Sequence, residues 1–202
     1  MGQMSLFSAA AHEPRLADLD GLLAGPGQVV RRGATARISV VVADEWRVAT
    51  LTAEMALVGI TAEHEPAQDT QPAQPGSTTV RTPWLAELRP VADAWTVGAV
   101  KRPPAGWELD GARLRWWCLA AGRGQPGLYN LALGVSDEPA WQPIGAALAA
   151  SGVPGAFVGP RADGPAYRIV GQRRLIRLRE LVGDPPAGGP EAAWPTLISR
   201  MT

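Results

Sequence analysis

Residues Leu19–Gly27 read LDGLLAGPG, and residues Trp116–Gly124 read WWCLAAGRG. Each is a short apolar run closing on two glycines one residue apart. Gln28 follows the first and Gln125 the second. Gly25 and Gly27 correspond to Gly122 and Gly124 at a constant displacement of 97 residues. The similarity continues downstream. ARISVVVADEW (Ala36–Trp46) aligns with LYNLALGVSDEPAW (Leu128–Trp141), matching Asp44-Glu45 to Asp137-Glu138. Gly59 and Gly152 then end the next helical runs, displaced by 93 residues. An ordered series of matches with so little drift implies an internal repeat, the first feature to seek in any chain.

Each copy has the same predicted grammar. An apolar helix opens it, over Arg15–Ala24 and over Asp110–Ala121. Pro14 stands where a helix start tolerates proline, and Asp110 is a candidate N-cap. Gly25 and Gly122 are the stops. Next come strands over Val29–Arg32 and Thr35–Val42, matched by Leu128–Val135 with a shorter partner. Alternation puts Ile38, Val40 and Val42 on one face and Arg37 and Ser39 on the other. Trp46, Thr50, Ala53 or Glu54, and Leu57 follow a helical period, as do Trp141, Ile144, Leu148 and Ala149. Second strand pairs are predicted at Ile60–Glu63 with Thr78–Thr82 and at Ala156–Gly159 with Ala166–Val170. Helices Pro83–Val97 and Gln172–Val182 close the copies. The fold class is α+β: tandem αββαββα repeats spanning 1–99 and 109–184, joined by a linker at 100–108 and followed by a Pro/Gly-rich tail at 185–202. Glu65–Ser77 reads as a low-complexity loop.

Composition narrows the function classes. The chain has 202 residues, 46% of them hydrophobic and 19% charged, which suits a packed core. It contains no apolar run long enough for a membrane span and no secretory leader pattern, so a cytoplasmic location is expected. One cysteine, Cys118, excludes a disulfide framework and a thiolate zinc site. His12 and His64 lie far apart, which disfavours hydrolytic triads. Net charge is zero, against the basic excess of a tight non-specific nucleic-acid binder. Residues 1–101 carry 8 basic and 11 acidic side chains, and residues 102–202 the reverse. Lys101 is the sole lysine among the 19 basic residues; the arginine bias is what GC-rich coding would give.

The duplicated, glycine-ended units resemble the LAGLIDADG homing-endonuclease family. LDGLLAGPG matches the family nonapeptide at its first Leu, third Gly, fourth Leu and last Gly; WWCLAAGRG keeps the fourth Leu and last Gly. From Arg113 to Gly183 the chain is also similar to the N-terminal domain of the actinobacterial sporulation regulator WhiA, a LAGLIDADG-like domain without cutting activity. LRWWCLAAGR and YRIVGQRRLIRLRELVG carry that likeness. The resemblance implies two helices packed about a pseudo-twofold axis and two antiparallel sheets forming a saddle for DNA. Gly21 and Gly25 lie one helical turn apart, as do Cys118 and Gly122. Small residues at those places let two helix backbones approach closely, and Cys118 reads as a small buried residue rather than a nucleophile.

The resemblance also implies what is missing. Active members carry an acid at the penultimate motif position, one per copy, to hold divalent metal. Those positions are Pro26 and Arg123 here. Neither supplies the oxygen donors that Mg²⁺ takes, so no catalytic residue, metal or other cofactor is expected. Asp18, Asp20 and Asp110 lie at the opposite helix ends and read as N-terminal caps or dipole partners. The saddle would enter the major groove. Its candidate DNA-binding residues are Arg31 or Arg32, Arg37, Ser39, Thr79, Arg81, Asn130 and Arg168, with Arg173 and Arg177 on the last helix as phosphate contacts or a solvated face. Val41, Ala132 and Gly134 share the strand phase and are poor base readers. Of the adjacent Trp116 and Trp117, one is expected to pack and the other to be exposed or at the interface between copies. Trp46 and Trp141, at equivalent places, are expected in the core. The sequence reading is a monomeric, non-catalytic, LAGLIDADG-like protein that binds duplex DNA as a transcriptional or developmental regulator. The alternative is a protein-interaction scaffold, with a protein partner, that has lost both cutting and DNA binding.

Overall fold

The structure, a computed structural model, describes residues 13–67, 75–160 and 164–196. The first predicted helix divides in two: a 3-10 turn, Leu16–Asp20, runs into a short α-helix, α1 (Gly21–Ala24). Then follow β1 (Gln28–Arg32), β2 (Thr35–Val42), α2 (Glu45–Leu57), β3 (Glu63–Pro66), β4 (Thr78–Arg81) and α3 (Arg89–Trp95). A small hairpin, β5 (Thr96–Val97) with β6 (Val100–Lys101), leads to α4 (Gly111–Ala121). The second half repeats the order with β7 (Gly122–Gln125), β8 (Leu128–Ala132), α5 (Glu138–Ala150), β9 (Ala156–Val158), β10 (Ala166–Val170) and α6 (Gln172–Val182).

Both halves build a four-stranded antiparallel sheet, in the orders β1-β2-β4-β3 and β7-β8-β10-β9. One face of each sheet is apolar and packs under helices. On β2 burial alternates residue by residue, with Ala36, Ile38, Val40 and Val42 inward. Tyr129, Leu131 and Ile169 do the same in the second sheet. A single hydrophobic cluster unites the halves through Leu19, Leu22, Leu23, Leu114, Trp117 and Leu119.

Where the two opening helices meet, glycine is a steric requirement. A Cβ on Gly21 would overlap the backbone carbonyl of Arg113, and one on Gly25 would lie 2.7 Å from the Trp117 ring. Trp117 is fully buried and donates its indole N–H to the Ala132 carbonyl at 2.8 Å. The second copy does not mirror this arrangement. Gly122 leaves room for the Tyr129 hydroxyl of its own half instead of for α1. Cys118 is wholly buried, and burial pushes its thiol pKa up to about 12, so it is no nucleophile at neutral pH.

Several boundaries differ from the sequence reading. The third strand starts at Glu63, not Ile60. The closing helix of the first half is shorter than Pro83–Val97, because Leu85 is held extended by two hydrogen bonds to Ala36, both 2.9 Å. The linker contributes β6, and the tail is partly docked: a 3-10 turn, Glu191–Ala193, brings Trp194 into the core. The Trp194 N–H bonds the Gly183 carbonyl at 2.9 Å, and the turn packs over β7, where a Cβ on Gly124 would strike Ala192. Trp116 and Trp117 are both buried. Trp46 and Trp141 are half-buried rather than central. Of the 65–77 loop, Glu65 and Pro66 belong to β3, and residues 68–74 lie outside the described residues. No helix among the described residues is long and apolar enough to cross a membrane.

Candidate nucleic-acid interface

The resemblance implies metal chemistry at the ends of the two opening helices. A helix C-terminus leaves its last carbonyls without intrahelical donors. Just past the end of α1, Lys101 donates its ammonium to the carbonyls of the capping residue Gly25 and of Gly27, both at 2.8 Å. Its counter-ion is Asp137 at 2.6 Å, which also accepts from the Gln28 side chain at 3.2 Å. At the end of α4 the donor is Arg47. Its guanidinium bonds the carbonyls of Cys118, Leu119 and Gly122 and pairs with Asp44 at 2.9 Å. Asp44 and Asp137 are the acids matched in the sequence repeat. Each half thus supplies one acid that helps hold a buried cation against a helix end of the other half.

This donor set does not fit a divalent metal. Pro26 and Arg123 supply no ligand. The oxygens that could coordinate one, those of Gly25, Gly27 and Asp137, already surround an ammonium. Burial drives the Lys101 pKa down while Asp137 opposes the fall. No group of three or more His, Cys, Asp or Glu side chains among the described residues is placed to hold a metal ion.

The opposite ends of the helices are tied by acids. Asp110 caps α4 by accepting from the Arg113 amide at 2.9 Å, and Asp18 accepts from the Arg15 amide at 3.0 Å. Asp20 bridges the halves, taking the Arg113 guanidinium at 2.7 Å and the Trp107 indole N–H at 2.8 Å. Burial raises its pKa above the usual 3.8, and Arg113 and Trp107 oppose that rise.

The sheets' outer faces, away from the helices, carry most of the strand residues expected to meet DNA. Register decides which. On the first sheet Arg37, Ser39, Thr79 and Arg81 share the outer face, because Ser39 pairs with Arg81 and Val41 with Thr79. Arg32 joins them as the partner of Thr35. Arg31 does not: it pairs with Ala36, on the helix-facing side, and bonds Asp93 of α3 at 3.0 Å. Arg173 and Arg177 lie on α6, whose Leu175, Leu178 and Leu181 are buried. They belong to the helical layer and are not gathered with the strand residues, because the closing helix covers the inner side of the sheet.

The outer faces differ in charge. On the first sheet the edge strand β3 presents Glu63 and Glu65. Glu63 pairs with Arg37 at 3.1 Å and Arg81 at 3.2 Å, and Glu65 pairs with Arg81. Trp84 has two guanidiniums against its ring, Arg32 at 4.5 Å and Arg37 at 4.6 Å from the ring centre. On the second sheet, Arg123 pairs with Asn130 and Asn130 with Arg168, forming a row across β7, β8 and β10. The Arg168 guanidinium donates to the Asn130 side-chain oxygen at 3.2 Å. Arg123 is exposed. The strand residues of this outer face include no carboxylate; they are Gln125, Leu128, Ala132, Ala156, Val158, Ala166 and Val170 beside the row.

Sequence reasoning missed Arg47, Lys101, Asp137, Gln28 and Trp84. The repeat did pair Asp44 with Asp137, which was the available signal that both acids do equivalent work.

No family model matches the sequence, and no curated protein matches it by sequence. Solved structures do match by shape. One is the homing endonuclease I-WcaI bound to its DNA recognition sequence, with TM-score 0.56 and 10% identity over 90% of this chain and 83% of that one. Another is the N-terminal LAGLIDADG domain of DUF199/WhiA, with TM-score 0.54 and 12% identity over 91% of this chain and 87% of that one. The chain has a LAGLIDADG-like fold.

Proposed function

We propose that this LAGLIDADG-like chain binds duplex DNA through the outer faces of its sheets and does not cut it. It would act as a monomer in the cytoplasm, as a transcriptional or developmental regulator. The observation that carries the reading is the filling of both helix ends by the protein's own cations, Lys101 and Arg47, in a fold whose neighbour I-WcaI was solved on its DNA recognition sequence. A nuclease of this design needs acids and metal between the scissile phosphates. Here Pro26 and Arg123 stand at the acid positions. The outer strands carry arginine, asparagine and glutamine, side chains that hydrogen-bond base edges and phosphates.

The test is fluorescence anisotropy with labelled duplexes of mixed sequence, repeated over a range of salt, beside a plasmid-nicking assay with Mg²⁺ and with Mn²⁺. Binding that weakens steeply with salt, with no nicking, is expected. Metal-dependent nicking that survives purification and is absent from an Asp18→Ala/Asp20→Ala/Asp110→Ala variant refutes the non-catalytic part. Absence of binding at micromolar protein in low salt refutes the DNA part.

A second reading has its own observations. The ion pairs of Glu63 and Glu65 neutralise arginines on the first outer face, and Leu128, Val158 and Val170 make the second partly apolar. Such a surface suits a protein partner, and the absence of DNA binding would select it.

A further inference from the structure

We infer that DNA is gripped by one half of the molecule: the Arg123–Asn130–Arg168 row is the anchor, and the first sheet is held back by its own glutamates. The inference rests on the DNA-binding reading and adds a direction to it. It also gives Arg123 a task beyond replacing an acid.

Three observations converge. First, the row is contiguous. Arg123, Asn130 and Arg168 are direct cross-strand partners, so their backbones are separated by about 5 Å per strand. Two guanidiniums thus flank one carboxamide on a single line. Arginine binds phosphate or the guanine edge bidentately, and asparagine binds the adenine edge in the same way. The row can therefore take a phosphate, a base edge or both without rearranging the sheet. Second, no carboxylate among the described residues compensates its charge. Arg168 is engaged only with a neutral amide, and no hydrogen bond or ion pair links Arg123 to any described residue. Third, two of the three arginines on the first outer face are already spent on carboxylates, and the remaining one, Arg32, lies against the Trp84 ring. Arg37 and Arg81 share Glu63, and Arg81 also holds Glu65. A phosphate approaching that face meets two carboxylates as well as the arginines. Reaching it would require breaking three ion pairs, so the gain per contact is small.

The arrangement explains how a chain with zero net charge presents a local anion-binding surface. The excess of basic residues lies in the second half of the sequence, and the row belongs to that half. Arg123 sits where the first motif has Pro26, which has no charge to offer, so the polarity begins at the paired motifs themselves.

The experiment uses the full chain and a fluorescein-labelled 30-base-pair duplex of mixed sequence, with anisotropy titrations at several salt concentrations. Circular dichroism and thermal melts check that each variant folds. Arg123→Ala/Arg168→Ala is expected to weaken binding by roughly tenfold or more and to lower the salt slope by about two, one per lost phosphate contact. The charge-balanced variant Arg37→Ala/Arg81→Ala/Glu63→Gln/Glu65→Gln, which removes the arginines without baring their carboxylates, is expected to stay within about twofold of the wild type. Glu63→Gln/Glu65→Gln, which frees those two arginines, is expected to tighten binding and steepen the slope. If the wild type binds but the charge-balanced first-sheet variant weakens it as much as Arg123→Ala/Arg168→Ala, or if Arg123→Ala/Arg168→Ala changes nothing, the one-sided grip is wrong while DNA binding stands. If the wild type binds no duplex, the functional reading fails and takes the inference with it.

Discussion

Replacing Lys101 tests the account of the helix ends directly. Its ammonium is almost wholly buried, with the side chain 4% exposed and its partner Asp137 9% exposed. It satisfies the Gly25 and Gly27 carbonyls as well as the carboxylate. Lys101→Met keeps the apolar stem and removes the charge. Asp137 is then left as a buried anion with only the Gln28 amide nearby, and breaking a buried pair from one side costs about 3–5 kcal/mol. For a domain of this size each kcal/mol moves the melting temperature by roughly 2–4 °C. A fall of about 6–20 °C is therefore expected. The double variant Lys101→Met/Asp137→Asn removes both charges. It should recover part of that loss, since its remaining cost is two carbonyls short of a donor. Urea titrations of wild type, both single variants and the double variant give the cycle. A Lys101→Met variant within about 1 kcal/mol of wild type, or a double variant losing the full sum of the singles, would refute the ion-pair reasoning.

Other perturbations follow from the same geometry. Gly21→Ala places a methyl group against the Arg113 carbonyl and should destabilise by at least about 1–3 kcal/mol through overpacking; urea denaturation at wild-type stability would show that the helices are not so close. Trp194→Ala removes a tail residue only 1% exposed and should cost about 3–5 kcal/mol in chemical denaturation, whereas an undocked tail would cost nothing. Asp20 has a folded-state pKa above 3.8, so the native chain binds its proton before the unfolded chain does. Its contribution to stability is full below 3.8 and is lost as pH rises through the raised value. Asp20→Asn removes that contribution, so its melting temperature should fall more on acidification from pH 7 than the wild type's; parallel curves would refute this. Pro26→Asp/Arg123→Asp places acids at both motif positions but leaves Lys101 and Arg47 on the helix ends. Calorimetry with Mn²⁺ should show no binding, and a micromolar site would refute the claim that these cations exclude metal.

Much of the architecture was legible because it is local. Strand β2 carries its alternation openly, Asp110 announces α4, and α6 runs over the predicted Gln172–Val182. Elements governed by distant partners were not legible. Strand β3 is Glu-His-Glu-Pro, with no apolar face to read. It exists because it is an edge, where proline is tolerated and where Glu63 and Glu65 meet arginines of two other strands. The helix over Pro83–Val97 was overpredicted because the Leu85–Ala36 bridge lies outside any local period. Lys101 sat in a segment read as a plain linker, yet its partners are Gly25, Gly27 and Asp137. Arg31 and Arg32 were inseparable until register put one on each side of the sheet.

Both helix ends are occupied by cations of the chain itself, Lys101 and Arg47. Wherever two such helices meet, their terminal carbonyls need donors or cations. That demand belongs to the helix ends themselves. Here it is met internally by one ammonium and one guanidinium, each balanced by an acid from the loop before a helix, Asp137 before α5 and Asp44 before α2. The two cations are chemically different, and the geometry accounts for the difference. Lys101 reaches two carbonyls and a carboxylate from the short β5–β6 hairpin, where a compact ammonium with three donors fits. Arg47 spans three carbonyls along the end of α4, which a planar fork covers and a point charge does not. The only lysine in an otherwise all-arginine set of basic residues therefore stands where three acceptors surround a single nitrogen. That placement ties the helix interface to the linker chain, so the same contact helps hold the two halves in register.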